Sequence, residues 1–340
     1  MSVNYLSTLT FDEEWLAALR RRSPGVQVTQ LPAERAGDIP DRVWADVDVL
    51  HTSTVFPDLT AAPRLRWVQL DTSGVDHLRG TPLWHSDLAI TTIGGVSPVP
   101  LAEYVMFAVL GSAHHLPALL DVQNRHDWPT PARRWQTMLP RPVAGATIGI
   151  VGYGRIGREI GRLARAHGMQ VLAVNRTGRL HSVARGTDQA NFASGADSGA
   201  DVELFASNRL KEVLERCDFV VIVVPLTEQT GGLLDREMIA AIKPGATLIN
   251  VSRGGIVNES ALLEALHSGA VSTVVLDVFE EEPLPPNSPW WSEPNAFVTP
   301  HVAGLAPRYA EQVLDIAAEN LNRFVAGKPL LNLVDRTRGY

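Results

Sequence analysis

Strand-length apolar runs at residues 47–50, 65–70 and 89–93 alternate with helix-patterned stretches such as 12–22 over the first third of the chain. That alternation predicts an α/β arrangement. Residues 98–125 carry apolar Leu101, Val105, Ala108 and Val109 at helical spacing and read as one long helical segment, with Pro117 placed to kink it. A stretch rich in proline and tryptophan, 127–142, reads as a linker or exposed arm. Beyond residue 143 the pattern becomes a series of βα units, with strands at 147–151, 171–174, 219–224, 247–251, 274–276 and 297–299 and a helix running to His167 after the first. Near-continuous runs such as 219-FVVIVV-224 are what a parallel strand covered on both faces requires. Residues 177–207, rich in Gly, Ala, Ser and Asp, break the scheme, and a loop of that length is expected to be functional, a lid, or partly disordered. The amphipathic segment 306–326 is expected to pack back on the first third.

The 340 residues, at about 150 per domain, suggest roughly two domains. With 45% hydrophobic and 20% charged residues the composition is that of an ordinary globular protein. Thirty basic against 37 acidic side chains leave a net charge of −7, so no global basic field exists to hold nucleic acid, and small-molecule partners are expected. One cysteine, Cys217, excludes an intramolecular disulfide, and no Cys/His spacing matches a zinc site. No bound metal is expected; His114 and His115, adjacent on a helix, point to different faces. Without a leader-like N-terminus or a run of about 20 apolar residues, the chain is expected to be cytoplasmic and not membrane-bound.

The motif Gly152-Tyr-Gly154-Arg155-Ile156-Gly157 follows a predicted strand and opens a predicted helix. In that setting the first glycine permits the turn, the second lets a pyrophosphate approach the backbone, and the third lets helix and strand pack closely. Dinucleotide binding is the reading. An NAD-specific site usually places an acid at the end of the second strand; here 171-VLAV-174 is followed by Asn175, Arg176 and Thr177. A guanidinium can pair with a 2′-phosphate and its neighbours can donate to it, so NADP(H) is favoured over NAD(H). The alternative role for Arg176 is stacking on the adenine of either cofactor.

Further segments, 73-SGVDHL-78, 102-AEYV-105, 225-PLTEQT-230, 250-NVSRGG-255, 277-DVFEEEP-283 and 299-TPHVAG-304, run in one order along the chain. With the glycine motif they make the chain resemble the D-2-hydroxyacid dehydrogenases, and within them the glyoxylate/hydroxypyruvate reductase branch. The resemblance implies three catalytic positions, Arg253, Glu282 and His301, each just after a predicted strand. The chemistry suits them. A carbonyl receiving hydride develops alkoxide charge and needs a proton donor working near neutral pH, the task of His301. A carboxylate beside it stabilises the imidazolium, which is the role of Glu282; chemistry alone does not choose it over Glu280 or Glu281. Arg253 can grip the substrate carboxylate and polarise the keto oxygen.

The same resemblance implies that Asp277 contacts the nicotinamide carboxamide, that Val224, Pro225, Thr230 and Val251 line the cofactor path with Gly304 beside it, and that the N–H groups of Ser73 and Gly74 form a nest for the substrate carboxylate. Trp128, Trp135 and Trp291 are left between pocket-lining and interface roles. The implied architecture is two doubly wound parallel-sheet domains: a Rossmann cofactor domain at 117–304 and a flavodoxin-like substrate domain made of 1–116 and 305–340, with a cleft between them that closes by a hinge. A homodimer is implied by the resemblance alone. The leading activity is NAD(P)H-dependent interconversion of small 2-keto acids, such as glyoxylate or hydroxypyruvate, and D-2-hydroxy acids. Alternatives are a dinucleotide-sensing corepressor-like protein without turnover and a phosphite-type dehydrogenase. Neither a serine-nucleophile nor a P-loop motif occurs, and 71-DTSG-74 lacks the second carboxylate segment that an aspartic protease needs.

Overall fold

The computed structural model describes residues 2–180 and 202–340. They fall into two compact units, one of residues 2–96 and 306–340, the other of the described residues between 97 and 305.

The first unit is a parallel sheet of β1 (Val3–Ser7), β2 (Val26–Gln30), β3 (Val49–Thr52), β4 (Trp67–Leu70) and β5 (Ala89–Thr91) in the order β2-β1-β3-β4-β5. This is the flavodoxin-like order, with the chain reversing direction across the sheet after β1. The inner strands β3 and β4 are buried along their whole length and β1 at all but one position, whereas the edge strand β2 buries no residue fully. Helix α1 (Glu13–Arg22) starts where the Asp12 carboxylate accepts the Trp15 N–H; it opens on Glu13 and Glu14 and closes on Arg20, Arg21 and Arg22, charges that complement the helix dipole. A short helix, α2 (Asp41–Asp46), precedes β3. The C-terminal helix (Tyr309–Val325) packs beside α1, with Val313, Ile316, Ala317 and Leu321 sharing one core with Trp15, Leu16, Leu19 and Trp67. The end of the chain thus returns to the first third, as its pattern suggested.

In the second unit, β6 (Thr147–Val151), β7 (Gln170–Asn175), β8 (Val202–Ala206), β9 (Phe219–Ile222), β10 (Ala246–Asn250), β11 (Val271–Leu276) and β12 (Ala296–Val298) form one parallel sheet in the order β12-β11-β10-β9-β6-β7-β8. Strands β9 and β10 are buried on both faces, the reason for their unbroken apolar runs. One face is covered by α3 (Pro98–Ala113) and α6 (Arg155–Ala166), the other by α7 (Leu210–Leu214), α8 (Arg236–Ala240) and α9 (Glu259–His267). Two more helices, α4 (Leu116–Asn124) and α5 (Pro131–Thr137), lie between α3 and β6, and the C-terminal helix is α10. Cys217 is fully buried before β9, and a Cβ on Gly149 of β6 would lie 2.6 Å from its Sγ. Asp218 ties strand starts together, accepting the Thr147 N–H at 2.9 Å and the Lys243 ammonium at 2.7 Å.

Four expectations change. Residues 98–125 are not one helix: α3 stops and α4 starts around His115, at φ 56°, and Pro117 sits harmlessly in the first turn of α4. Because α3 packs on α6, it belongs to the second unit, so the compact units divide at 96/97 where the pattern placed the boundary at 116/117. The arm at 127–142 contains α5, capped by the Thr130 hydroxyl. Within 177–207, residues 202–206 form the edge strand β8 on β7, and 181–201, most of the expected lid or functional loop, lie outside the described residues. Among the described residues no single helix is long and apolar enough to cross a membrane.

Candidate active site

The strand order of the second unit reverses between β6 and β9, and open sheets of this type receive ligands beyond the carboxyl ends of the strands at that reversal. The glycine motif lies there. Gly152 has φ 111°, and a Cβ on it would run into the Val223 carbonyl; a Cβ on Gly157 would collide with the carbonyl of Gly152. Gly154 differs, since a Cβ there would meet nothing within 4 Å. It caps α6, whose first turn holds Arg155 and Ile156 and no acid, so among the described residues open space faces the helix N-terminus. These features fit a dinucleotide pyrophosphate.

At the end of β7 the Asn175 side chain closes a turn: its Oδ1 accepts the N–H groups of Thr177 at 3.0 Å and Gly178 at 2.8 Å, and its Nδ2 donates to the Arg179 carbonyl at 2.8 Å. Asn175 therefore shapes the turn, while Arg176 and Thr177 stand exposed on it. Arg179, also exposed on this turn, is a second cation that the sequence reading passed over; the signal was the short Arg176-to-Arg179 spacing at a strand end.

The ends of β10, β11 and β12 carry the three expected catalytic residues. His301 has φ 53°, and its N–H donates to the Asp277 carbonyl at 2.9 Å. Its Nδ1 lies 2.8 Å from Glu282 Oε2, and the other oxygen of that carboxylate accepts the Phe279 N–H at 3.0 Å. Of the three consecutive glutamates, Glu282 is thus the one joined to the imidazole. The Glu280 N–H instead donates to Glu259 at 2.6 Å, and the Trp290 indole donates to the other Glu259 oxygen at 3.1 Å. Burial pushes the Glu259 carboxyl above its ordinary range, the Glu280 and Glu282 charges adding to it against these two hydrogen bonds. Arg253 follows β10 in a turn closed by Asn250, whose Oδ1 accepts the Ser252 N–H and hydroxyl, and its guanidinium donates to the Ser252 carbonyl at 2.7 Å. A Cβ on Gly254 would collide with the Phe279 carbonyl, so the Arg253 turn is seated directly against the loop that holds Glu282.

Asp277, 2% exposed, holds the histidine loop: Oδ1 accepts the Thr299 hydroxyl at 2.6 Å and the Val302 N–H at 2.8 Å, and Oδ2 accepts the Ala303 N–H at 2.9 Å. The Tyr104 hydroxyl of α3 lies 2.6 Å from Thr299 Oγ1. Because a carboxylate only accepts, Thr299 donates to Asp277 and Tyr104 donates to Thr299. Burial is the main cause pushing Tyr104 up to about 12, so its proton stays in place. Tyr104 and Thr299 lie inside segments that carried the resemblance, yet only their contacts reveal their part in the site. Elsewhere Thr230 donates to the Pro225 carbonyl at 2.5 Å and holds the loop that begins with Val224, Val251 is buried just past β10, and the Gly304 carbonyl accepts from Ser97 at 2.9 Å. Ser73 and Gly74 belong to the first unit, in the turn after β4.

The sequence model of the family described as D-isomer specific 2-hydroxyacid dehydrogenase, NAD binding domain, matches residues 106–303. The chain is 36% identical to an (S)-sulfolactate dehydrogenase of Chromohalobacter salexigens over 79% of its own length and 78% of that protein, and 32% identical to a glyoxylate reductase of Pyrococcus furiosus over 86% and 83%. Among solved structures, a D-isomer specific 2-hydroxyacid dehydrogenase from Xanthobacter autotrophicus in complex with NADPH and MES is similar at a TM-score of 0.81 with 30% identity, both chains covered in full. An NADPH-dependent glyoxylate/hydroxypyruvate reductase from Sinorhizobium meliloti in complex with NADP and sulfate gives 0.80 with 28% identity, again over both full lengths. The class is that of a two-unit oxidoreductase with an NAD(P)-binding Rossmann sheet. The chain belongs to the D-isomer-specific 2-hydroxyacid dehydrogenase family, on its glyoxylate/hydroxypyruvate reductase branch.

Proposed function

We propose that this chain reduces small 2-keto acids, glyoxylate and hydroxypyruvate among them, to D-2-hydroxy acids, and that it prefers NADPH to NADH. The observation that carries the reading is the 2.8 Å pairing of Glu282 with His301 Nδ1 at the end of adjacent strands. With Nδ1 taken, Nε2 is the nitrogen left to give a proton to the keto oxygen, and the carboxylate stabilises the imidazole while it is charged. A reduced nicotinamide bound beside these residues would supply the hydride. Arg253 polarises the keto group and pairs with the substrate carboxylate, the N–H groups of Ser73 and Gly74 grip that carboxylate, and Asp277 fixes the histidine loop, with the nicotinamide carboxamide as its further contact.

The NADPH preference rests on the end of β7, where Asn175 stands in place of an acid and Arg176 and Thr177 are exposed beside it. Val224, Pro225, Thr230, Val251 and Gly304 complete the cofactor path. A homodimer is supported by the apolar surface of α4, α5 and their flanks: Trp128 and Trp135 are 86% and 71% exposed, and Leu119, Leu120 and Leu139 are exposed with them. The buried, unpaired Cys217 suits a reducing, cytoplasmic setting.

Initial rates followed at the absorbance of reduced nicotinamide, with glyoxylate, hydroxypyruvate, pyruvate and phenylpyruvate against NADPH and NADH, test this reading. Turnover is expected with the smaller keto acids and with NADPH ahead of NADH, and His301→Ala is expected to lower kcat by about 10²- to 10⁴-fold. Tight dinucleotide binding with no turnover of any keto acid would overturn it.

A further inference from the structure

In the first unit, His51 of β3 is wholly buried in a box of aromatic rings: Phe11, Tyr5 and Trp15 lie with ring centroids 5.5, 6.0 and 6.3 Å from its own. An apolar side chain would fill such a box without any desolvation cost. The imidazole instead sits in a polar chain. Tyr5 Oη is 2.5 Å from Nδ1. Burial, with the charge of Asp71 adding to it, pushes the Tyr5 hydroxyl well above its ordinary value, so the phenol keeps its proton and donates it to Nδ1. A neutral imidazole that accepts at Nδ1 carries its hydrogen on Nε2. That nitrogen lies 3.4 Å from Asp71 Oδ1, a close polar contact short of hydrogen-bond geometry, and both atoms are buried with no hydrogen-bond partner among the described residues.

Asp71 opens the turn after β4 and is gripped from other sides. The Tyr309 hydroxyl donates to its carbonyl at 2.9 Å and lies 3.4 Å from Oδ2, and its own N–H donates to the Thr52 carbonyl at 3.0 Å. Thr72 is held as well: its hydroxyl donates to the Gly74 carbonyl at 2.8 Å, and its carbonyl accepts the Ile93 N–H at 3.2 Å. The N–H groups of Ser73 and Gly74, in the middle of this fixed turn, have no acceptor among the described residues, and Ser73 is exposed.

We propose that the polar chain Tyr5, His51, Asp71, Tyr309, buried at its first two members, is a positioning device that fixes the 71–74 turn and aims the Ser73 and Gly74 N–H groups at the carboxylate of the keto acid. The inference rests on the function proposed above and adds the residues that set affinity for the acid group. They act through Asp71 and touch no substrate. Their removal therefore weakens binding of the carboxylate and leaves hydride transfer and dinucleotide binding alone.

The test compares wild type with His51→Met, which fills the box but removes the Nε2 hydrogen, Tyr309→Phe, which removes one donor to Asp71 at the rim of the box, and His51→Gln, which restores a donor. KM for glyoxylate, kcat, the Kd of NADPH by its fluorescence, the Kd of oxamate in the NADPH complex and Tm are measured for each. A rise of about tenfold in KM and in the oxamate Kd is expected for the first two variants, the effect of one lost polar contact. Their kcat and NADPH Kd should stay near wild type, and His51→Gln should recover part of the loss. Unchanged KM and oxamate affinity in both variants would overturn the positioning role, as would a parallel fall of kcat, dinucleotide affinity and Tm, the mark of general destabilisation. A wild type that neither turns over keto acids nor binds oxamate would overturn the proposed function itself.

Discussion

A histidine at φ 53° costs about 1–2 kcal/mol relative to ordinary backbone, so something must hold His301 there. Asp277 does so from both sides of its residue, with its carbonyl on the His301 N–H and its carboxylate on Thr299, Val302 and Ala303. Thr299 is the link that also reaches α3 through Tyr104. Thr299→Val keeps the shape of the side chain and removes the hydroxyl, leaving Tyr104 without its acceptor. We expect kcat to fall about 10- to 100-fold through misplacement of the imidazole, with the Kd for NADPH little changed; steady-state kinetics beside fluorescence titration would show the split. The identity of His301 was legible in the sequence because the motif names it. Its backbone geometry was not, since a non-glycine residue at positive φ leaves no mark in the pattern and depends on acceptors far along the chain. The choice among Glu280, Glu281 and Glu282 was legible by resemblance only; three adjacent acids look alike until the Phe279 N–H and His301 pick one of them.

Elements built from long Val and Ile runs, β9 and β10 above all, were legible because burial on both faces forces an unbroken apolar run. Those that half-face solvent were not. Strand β8 reads VELFA, mixes buried and exposed positions, and pairs with β7 alone, at the edge of the sheet. The stop of α3 near His115 was likewise hidden, since the apolar spacing carries on and the break is made by one left-handed residue. Between elements the closest fit is at Gly254, where the turn after β10 presses on the Phe279 carbonyl. Gly254→Ala forces these two loops apart and with them Arg253 and Glu282. A loss of about 1–3 kcal/mol of stability by urea denaturation is expected, together with a fall in kcat larger than the fall in NADPH affinity. A variant with native stability and kcat would show that the loops can part without disturbing the chemistry.

At the scale of the whole chain, the two sheets share the logic of parallel strands but draw their stability from different cores, and the second depends on a charged tie at the start of its strands. Burial opposes ionisation of Asp218, but the Lys243 ammonium and the Thr147 N–H together outweigh it and hold the carboxyl below its ordinary range. A depressed carboxyl contributes stability above the value it has in the unfolded chain and loses it as the pH falls through its folded value. Asp218→Asn should therefore lower Tm by a few degrees near neutral pH, on the order of 1 kcal/mol for this partly exposed pair, and the gap from wild type should close as the pH is brought below about 4. Thermal melts of both proteins from pH 7 to pH 3 would check this, a gap constant with pH being the contrary result.

The lone thiol beside that tie gives the molecule a clock. Burial pushes Cys217 up to about 12, and its Sγ is pressed against Gly149 in the middle of the second sheet. At neutral pH it is therefore protonated and out of reach, and an alkylating reagent can meet it only when that sheet opens. The rate of alkylation should fall when NADPH is added, by the factor that binding multiplies the closed population, so mass spectrometry of one sulfur atom would time the opening of the nucleotide-binding unit with no label attached. Rapid modification of the resting protein would mean that the sheet breathes far more often than its packing implies.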